Sequence, residues 1–110
     1  MPDRAWKRAE RTIAARLGGR RVPITGRQRG NVPDVEHPAF AVEVKSRKTL
    51  PTWLHNAMTQ AIAARRGAQL PLVILHETGT RHADDLVLVR FGAWLAWFGD
   101  LPRPEGEDAA

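Results

Sequence analysis

The six residues Phe40 to Lys45, FAVEVK, alternate apolar and polar side chains, the pattern of a strand with one face turned to a core. Phe40, Val42 and Val44 fall on one side, and Ala41, Glu43 and Lys45 on the other. Such a strand cannot stand alone, because its backbone needs a partner and its apolar face needs cover. The partner is predicted just upstream. Val32 to Glu36 is a short extended piece, and His37-Pro38 is a turn signal, since proline fixes φ and drives the preceding residue out of the helical region. A hairpin across Glu36 to Ala39 brings Asp34 alongside Glu43. Glu43 and Lys45 share a face, roughly 6–7 Å apart along the strand.

Two carboxylates and an ammonium in that space have a definite chemistry. Carboxylates so close repel unless a cation lies between them. A hard ion such as Mg²⁺ takes oxygen ligands and keeps several waters. Asp34 and Glu43 supply two oxygens, and the Val44 carbonyl offers a third. A lysine beside such an ion can orient an attacking water and offset charge building on a phosphate. Taken alone, D…E-x-K is also what the solvated face of an ordinary surface strand carries.

Around this hairpin the chain alternates helices and strands. Asp3 is suited to cap a helix ending near Leu17, with Trp6, Ala9, Ile13 and Leu17 as its buried stripe. Gly18-Gly19 ends it. Glu10 sits at the edge of the stripe, where an ordinary solvated glutamate would pair with Lys7 or Arg11. Arg20 to Ile24 reads as a short strand. Thr25 to Asn31 reads as a loop whose Arg27, Gln28 and Arg29 are donors suited to phosphate oxygens. Beyond Lys45 come Ser46, Arg47 and Lys48, then a helix from about Thr52, as N-cap, to Arg66. Leu54, Ala57, Met58, Ala61, Ile62 and Arg65 trace one face of it, with Gln60 off its centre. Leu70–Leu75 and Leu86–Val89 are apolar runs, the first read as a strand buried on both faces. Between them, Asp84 and Asp85 have the context of turn and capping residues. His37, His55, His76 and His82 show no metal-ligand spacing. Phe91–Phe98 is a short helix crowded with Trp94, Leu95, Trp97 and Phe98, which either closes the core or meets a second subunit. Residues 1–99 are expected to form one domain and residues 100–110, rich in Pro, Gly and acid, a disordered tail.

With 110 residues and 43 % hydrophobic content, the chain suits one small domain. There is no cysteine, which excludes disulfides and thiolate metal sites. No apolar run approaches the roughly 20 residues that span a bilayer, and the N-terminus lacks the apolar stretch of a secretory signal. The net charge of +5 is uneven. Met1 to Arg29 holds nine Arg or Lys against Asp3 and Glu10, a balance of +7, and the remainder has eight basic and ten acidic residues, a balance of −2. Concentrated arginine is the footprint of phosphate contact. Arg4, Lys7, Arg8 and Arg11 crowd the first helix around much of its girth, which argues against a membrane-surface helix with a wide apolar face.

Pro33-Asp34, eight intervening residues, then Glu43-Val44-Lys45 resembles the PD-(D/E)-x-K nuclease signature. Glu10 on a preceding helix, Ser46 after the lysine, Gln60 on the next helix and the run from Arg66-Gly67-Ala68 into Pro71-Leu72-Val73-Ile74 fit the same pattern. Within that superfamily the chain is most similar to the archaeal-type and phage Holliday junction resolvases, over about Ala5 to Trp94. The resemblance implies a restriction-endonuclease-like α/β domain with a central mixed sheet flanked by helices. It implies a Mg²⁺-dependent endonuclease, with Mn²⁺ as a substitute, that cuts four-way DNA junctions as a homodimer in recombination and repair. No nucleotide cofactor is expected, and the setting is the cytoplasm of a bacterial or archaeal cell, with a phage gene as one source. Asp34, Glu43, Glu10 and the Val44 carbonyl become the metal set. Lys45 positions the nucleophile, and Ser46 and Gln60 support. Arg4, Lys7, Arg8, Arg11, Arg27, Gln28, Arg29, Ser46, Arg47 and Lys48 become DNA contacts. Two departures stand against this: the turn between Asp34 and Glu43 is tight, and there is no tyrosine for variants that use one. The competing readings are another nuclease of the same fold acting on duplex, flap or fork DNA, a DNA-binding module without catalysis, and a basic protein-docking module.

Overall fold

The structure, a computed structural model, describes residues 5–22 and 33–98. Three helices and two small antiparallel sheets make up a small α/β protein. It divides into two compact units, one up to Lys48 and one beginning at Thr49. The expected loop with Arg27, Gln28 and Arg29, the N-terminal Arg4 and the tail 100–110 lie outside the described residues.

In the first unit, helix α1 (Ala5–Leu17) ends as its two glycines dictate. Gly18 takes φ 74°. Its amide donates to the Ala15 carbonyl at 3.2 Å, and that of Gly19 to Ala14 at 2.8 Å, the paired bonds of a Schellman cap. The chain then enters β1 (Arg20–Arg21), followed by β2 (Val35–Glu36) and β3 (Ala41–Val42), paired antiparallel in the order β1-β2-β3. Val35 lies opposite Val42 and Glu36 opposite Ala41. The predicted hairpin therefore forms, and its register carries Asp34 toward Glu43. Bonds from the Val22 amide to the Asp34 carbonyl and from the Asp34 amide to the Val42 carbonyl, both 2.8 Å, continue the ladder.

Val35 is the centre of this unit, with no exposed surface. The helix end comes close to it at Gly19, where a Cβ would lie 2.6 Å from the Glu36 carbonyl oxygen and 2.9 Å from Val35 Cγ1. The predicted buried stripe of α1 is corrected. Glu10 and Ala14 are its buried residues, Ala9, Ile13 and Leu17 are half-buried, and Trp6 is 43 % exposed. The stripe is turned by about one residue because Glu10 finds a cationic partner inside. The hairpin turn also uses more than proline: the Ala39 amide donates to His37 Nδ1 at 3.0 Å. His37 is buried, and its Nε2 has no hydrogen-bond partner among the described residues.

In the second unit, α2 (Thr52–Ala64) buries Met58, with Leu54, Ala57, Ala61 and Ile62 half-buried as predicted. Thr52 does not cap it. Pro51 holds the cap position with φ −56° and ψ 139°, and no side chain bonds the free amides. The helix stops at Ala64, before the predicted Arg66, because Arg65 is extended. Strands β4 (Val73–Leu75) and β5 (Leu86–Leu88) pair antiparallel, Ile74 opposite Val87. The run Leu70–Leu75 is not buried on both faces. Val73 and Leu75 are half-buried, while Ile74 is 54 % and Val87 61 % exposed. A two-stranded ribbon with a helix on one side covers only that side. Where the sequence predicts a central mixed sheet, the described residues thus form antiparallel sheets alone. Helix α3 (Phe91–Trp97) divides its bulk: Phe91, Trp94 and Leu95 are half-buried, while Trp97 and Phe98 face solvent. No helix among the described residues is long and apolar enough to cross a membrane.

Candidate active site

The first unit holds a cavity of about 460 Å³ lined by Glu10, Arg21, Asp34, Glu43, Val44 and Lys45 among others. Each wall residue arrives from a different local cause. Asp34 stands one residue before β2, where the hairpin register sets it beside the strand carrying Glu43. The residue is 7 % exposed. Oδ2 accepts the Val44 amide hydrogen at 2.7 Å, a charge-assisted bond that ties the two chain segments together. Oδ1 has no hydrogen-bond partner among the described residues.

Glu43 and Lys45 follow β3 with the predicted alternation. Phe40, Val42 and Val44 are half-buried, and Ala41, Glu43 and Lys45 exposed. Lys45 Nζ lies 3.2 Å from Glu43 Oε2, with both side chains more than half exposed. This surface pair is worth little to stability, which leaves both groups free to exchange partners.

Glu10 is the least expected member. It is 7 % exposed, and its Oε2 receives the Arg21 Nε hydrogen at 2.8 Å. Neither Lys7 nor Arg11 is the partner that holds it. A carboxylate so deep requires such a partner, since burial without one costs several kcal/mol. Arg21 was not singled out by the sequence. The signal was available: a lone acid at the edge of an apolar stripe, and an arginine in the strand that follows the glycine stop.

Trp6 and Lys7 complete the rim of the same cavity, the Lys7 ammonium 5.5 Å from the Trp6 ring centre. Of the other predicted phosphate contacts, Arg8 and Arg11 lie on exposed positions of α1, and Ser46, Arg47 and Lys48 are exposed directly beyond Lys45. Arg47 Nη1 donates to the Ser46 carbonyl at 3.0 Å. Gln60 is exposed on α2, in the second unit. Chemically, a cavity with two hard carboxylates, a lysine and a buried ion pair can hold a hard cation and meet an anion. The chain matches no family model, no curated protein and no solved structure.

Proposed function

We propose that this protein is a Mg²⁺-dependent endodeoxyribonuclease of the PD-(D/E)-x-K type on a restriction-endonuclease-like fold, cutting four-way DNA junctions as a homodimer. One observation carries the reading. Glu10, Asp34, Glu43 and Lys45, spread over a helix and two strand ends, line one cavity. The donors fit the ion: Asp34 Oδ1 and the exposed Glu43 carboxylate are hard oxygens, as Mg²⁺ and Mn²⁺ prefer. Asp34, Glu43 and the Val44 carbonyl would hold it. Glu10, engaged by Arg21, would act through water.

When bound, the metal supplies a lowered pKa for water and a counter-charge for the phosphate. The chain supplies the rest. Lys45, held loosely at Glu43, swings to the phosphate and offsets its growing charge. The Val44 amide fixes the rotation of Asp34. Lys7, Ser46, Arg47 and Lys48 bind the flanking backbone, with affinity that falls steeply as salt rises. A junction needs two opposed cuts, so a symmetric dimer with two sites is the assembly that serves it.

The test is a cleavage assay with a labelled four-way junction, linear duplex, flap and single strand, each with Mg²⁺ and with EDTA. Paired symmetric nicks in the junction alone, lost with EDTA, are the expected result. Equal cutting of the other substrates would leave a nuclease without junction preference. No cutting with any divalent ion, together with tight DNA binding, would leave a binding module.

A further inference from the structure

In the second unit, the ends of the β4–β5 ribbon gather two imidazoles on one carboxylate. His76 directly follows β4 and Asp85 directly precedes β5, so the ribbon's register sets them opposite each other. His82 opens the 3₁₀ turn His82–Asp84, three residues before Asp85. His76 Nδ1 lies 2.6 Å from Asp85 Oδ1, and His82 Nδ1 lies 3.0 Å from Oδ2. The two rings stack, with centres 4.2 Å apart and planes 27° from parallel. One donor atom from each of the three residues falls within a 4.8 Å cluster. The sequence, which gave these histidines no ligand spacing, hides this convergence because strand pairing creates it.

We propose that His76, His82 and Asp85 bind a first-row divalent transition ion of the zinc class. The donor chemistry points there: two imidazoles with one carboxylate suit zinc and its neighbours, whereas Mg²⁺ and Ca²⁺ prefer all-oxygen sets. Size agrees as well. Bonds of about 2.0–2.1 Å set tetrahedral ligand atoms roughly 3.3 Å apart, so the 3.0 Å contact of His82 needs to open by about 0.3 Å and the 2.6 Å contact of His76 by about 0.7 Å. The ion then sits where a hydrogen would bridge each Nδ1 to the carboxylate, and each ligating neutral imidazole carries its single hydrogen on Nε2, any second proton being released to solvent. The site is also braced in advance. The Asp85 amide donates to the His82 carbonyl and the Asp84 amide to Arg81, both at 3.0 Å. The Thr80 hydroxyl donates to the Glu77 carbonyl at 2.8 Å, and Asp84 is engaged by Arg81 at 3.2 Å. The Asp85 side chain is 11 % exposed and that of His82 82 %, so the ion has an anchored ligand below and a fourth, open position toward solvent.

The site is independent of the nuclease cavity, and its test keeps them apart. The metal-free full chain is titrated with Co²⁺ and followed by its visible absorption, then challenged with Zn²⁺. One equivalent of Co²⁺ giving the intense bands of tetrahedral coordination, displaced by Zn²⁺, is expected. His82→Ala, at a position whose side chain is 82 % exposed, weakens binding roughly tenfold or more, the loss that follows removal of even a supporting partner. His76→Ala does the same. Asp34→Asn leaves the spectrum unchanged. A spectrum lost in Asp34→Asn but kept in both histidine variants would overturn the assignment, as would the absence of any Co²⁺ or Zn²⁺ binding. In either case the cluster is only a hydrogen-bonded clasp of the loop.

Discussion

The first unit buries charge and the second leaves apolar surface in the open. Of the six residues buried in the described structure, Glu10, Asp34 and His37 are polar, and all three belong to the first unit. In the second, Met58 alone is buried, while Trp53, Ile74, Leu86 and Val87 are each more than half exposed. Ordinary packing would exchange these two inventories. A small core that gives three of its five buried places to ionisable groups spends stability on holding them, as functional sites do. The exposed apolar ribbon, by contrast, is covered on one face only and gains little from its outer side chains.

The largest effect that could break this contrast is expected at the buried ion pair. Arg21→Met leaves the Glu10 carboxylate buried without a partner and is predicted to cost about 3 kcal/mol. Adding Glu10→Leu should restore much of that loss, as measured by urea unfolding. If Arg21→Met is neutral, Glu10 is not buried as described. Val35→Ala, at the fully buried centre of the same unit, should cost about 2 kcal/mol. Gly19→Ala forces a Cβ against the Glu36 carbonyl and Val35, with an expected loss of about 1–2 kcal/mol from overpacking. Ile74→Thr and Val87→Thr form the other arm of the comparison. They face solvent opposite one another, and each should change stability by no more than about 0.5 kcal/mol. A large loss at either would show that the outer face of the ribbon is covered in solution.

Local pattern carried the hairpin. The alternation of Phe40 to Lys45, the His37-Pro38 turn and the Gly18-Gly19 stop are near-neighbour effects, and from them followed the approach of Asp34 to Glu43. The orientation of α1 did not follow. Hydrophobic spacing ranks Trp6 as buried and Glu10 as exposed, and only the contact with Arg21, eleven residues away, reverses that order. The continuous apolar run at Leu70–Leu75 was misleading for a related reason. Such a run says that a strand tolerates burial on both faces, but what covers each face depends on neighbours the run does not encode. The histidine–aspartate cluster was hidden because His76 and Asp85 meet only through the register of β4 and β5. Thr52 failed as a cap because Pro51 had already set the entry to α2.

The central claim is that Asp34, beyond its structural bond to the Val44 amide, and Lys45 act in phosphodiester cleavage. The measurement that tests it most directly is the rate of junction cleavage in Mg²⁺ by the parent, Asp34→Asn and Lys45→Ala, with DNA affinity and unfolding followed on the same samples. Lys45 is exposed and its pair with Glu43 is at the surface, so Lys45→Ala should fold and bind DNA almost as the parent does. Both variants are predicted to lose cleavage by a factor on the order of 100 or more, the scale seen when one charge-stabilising group is removed. Cleavage at the parental rate by a folded Lys45→Ala or Asp34→Asn would contradict the account.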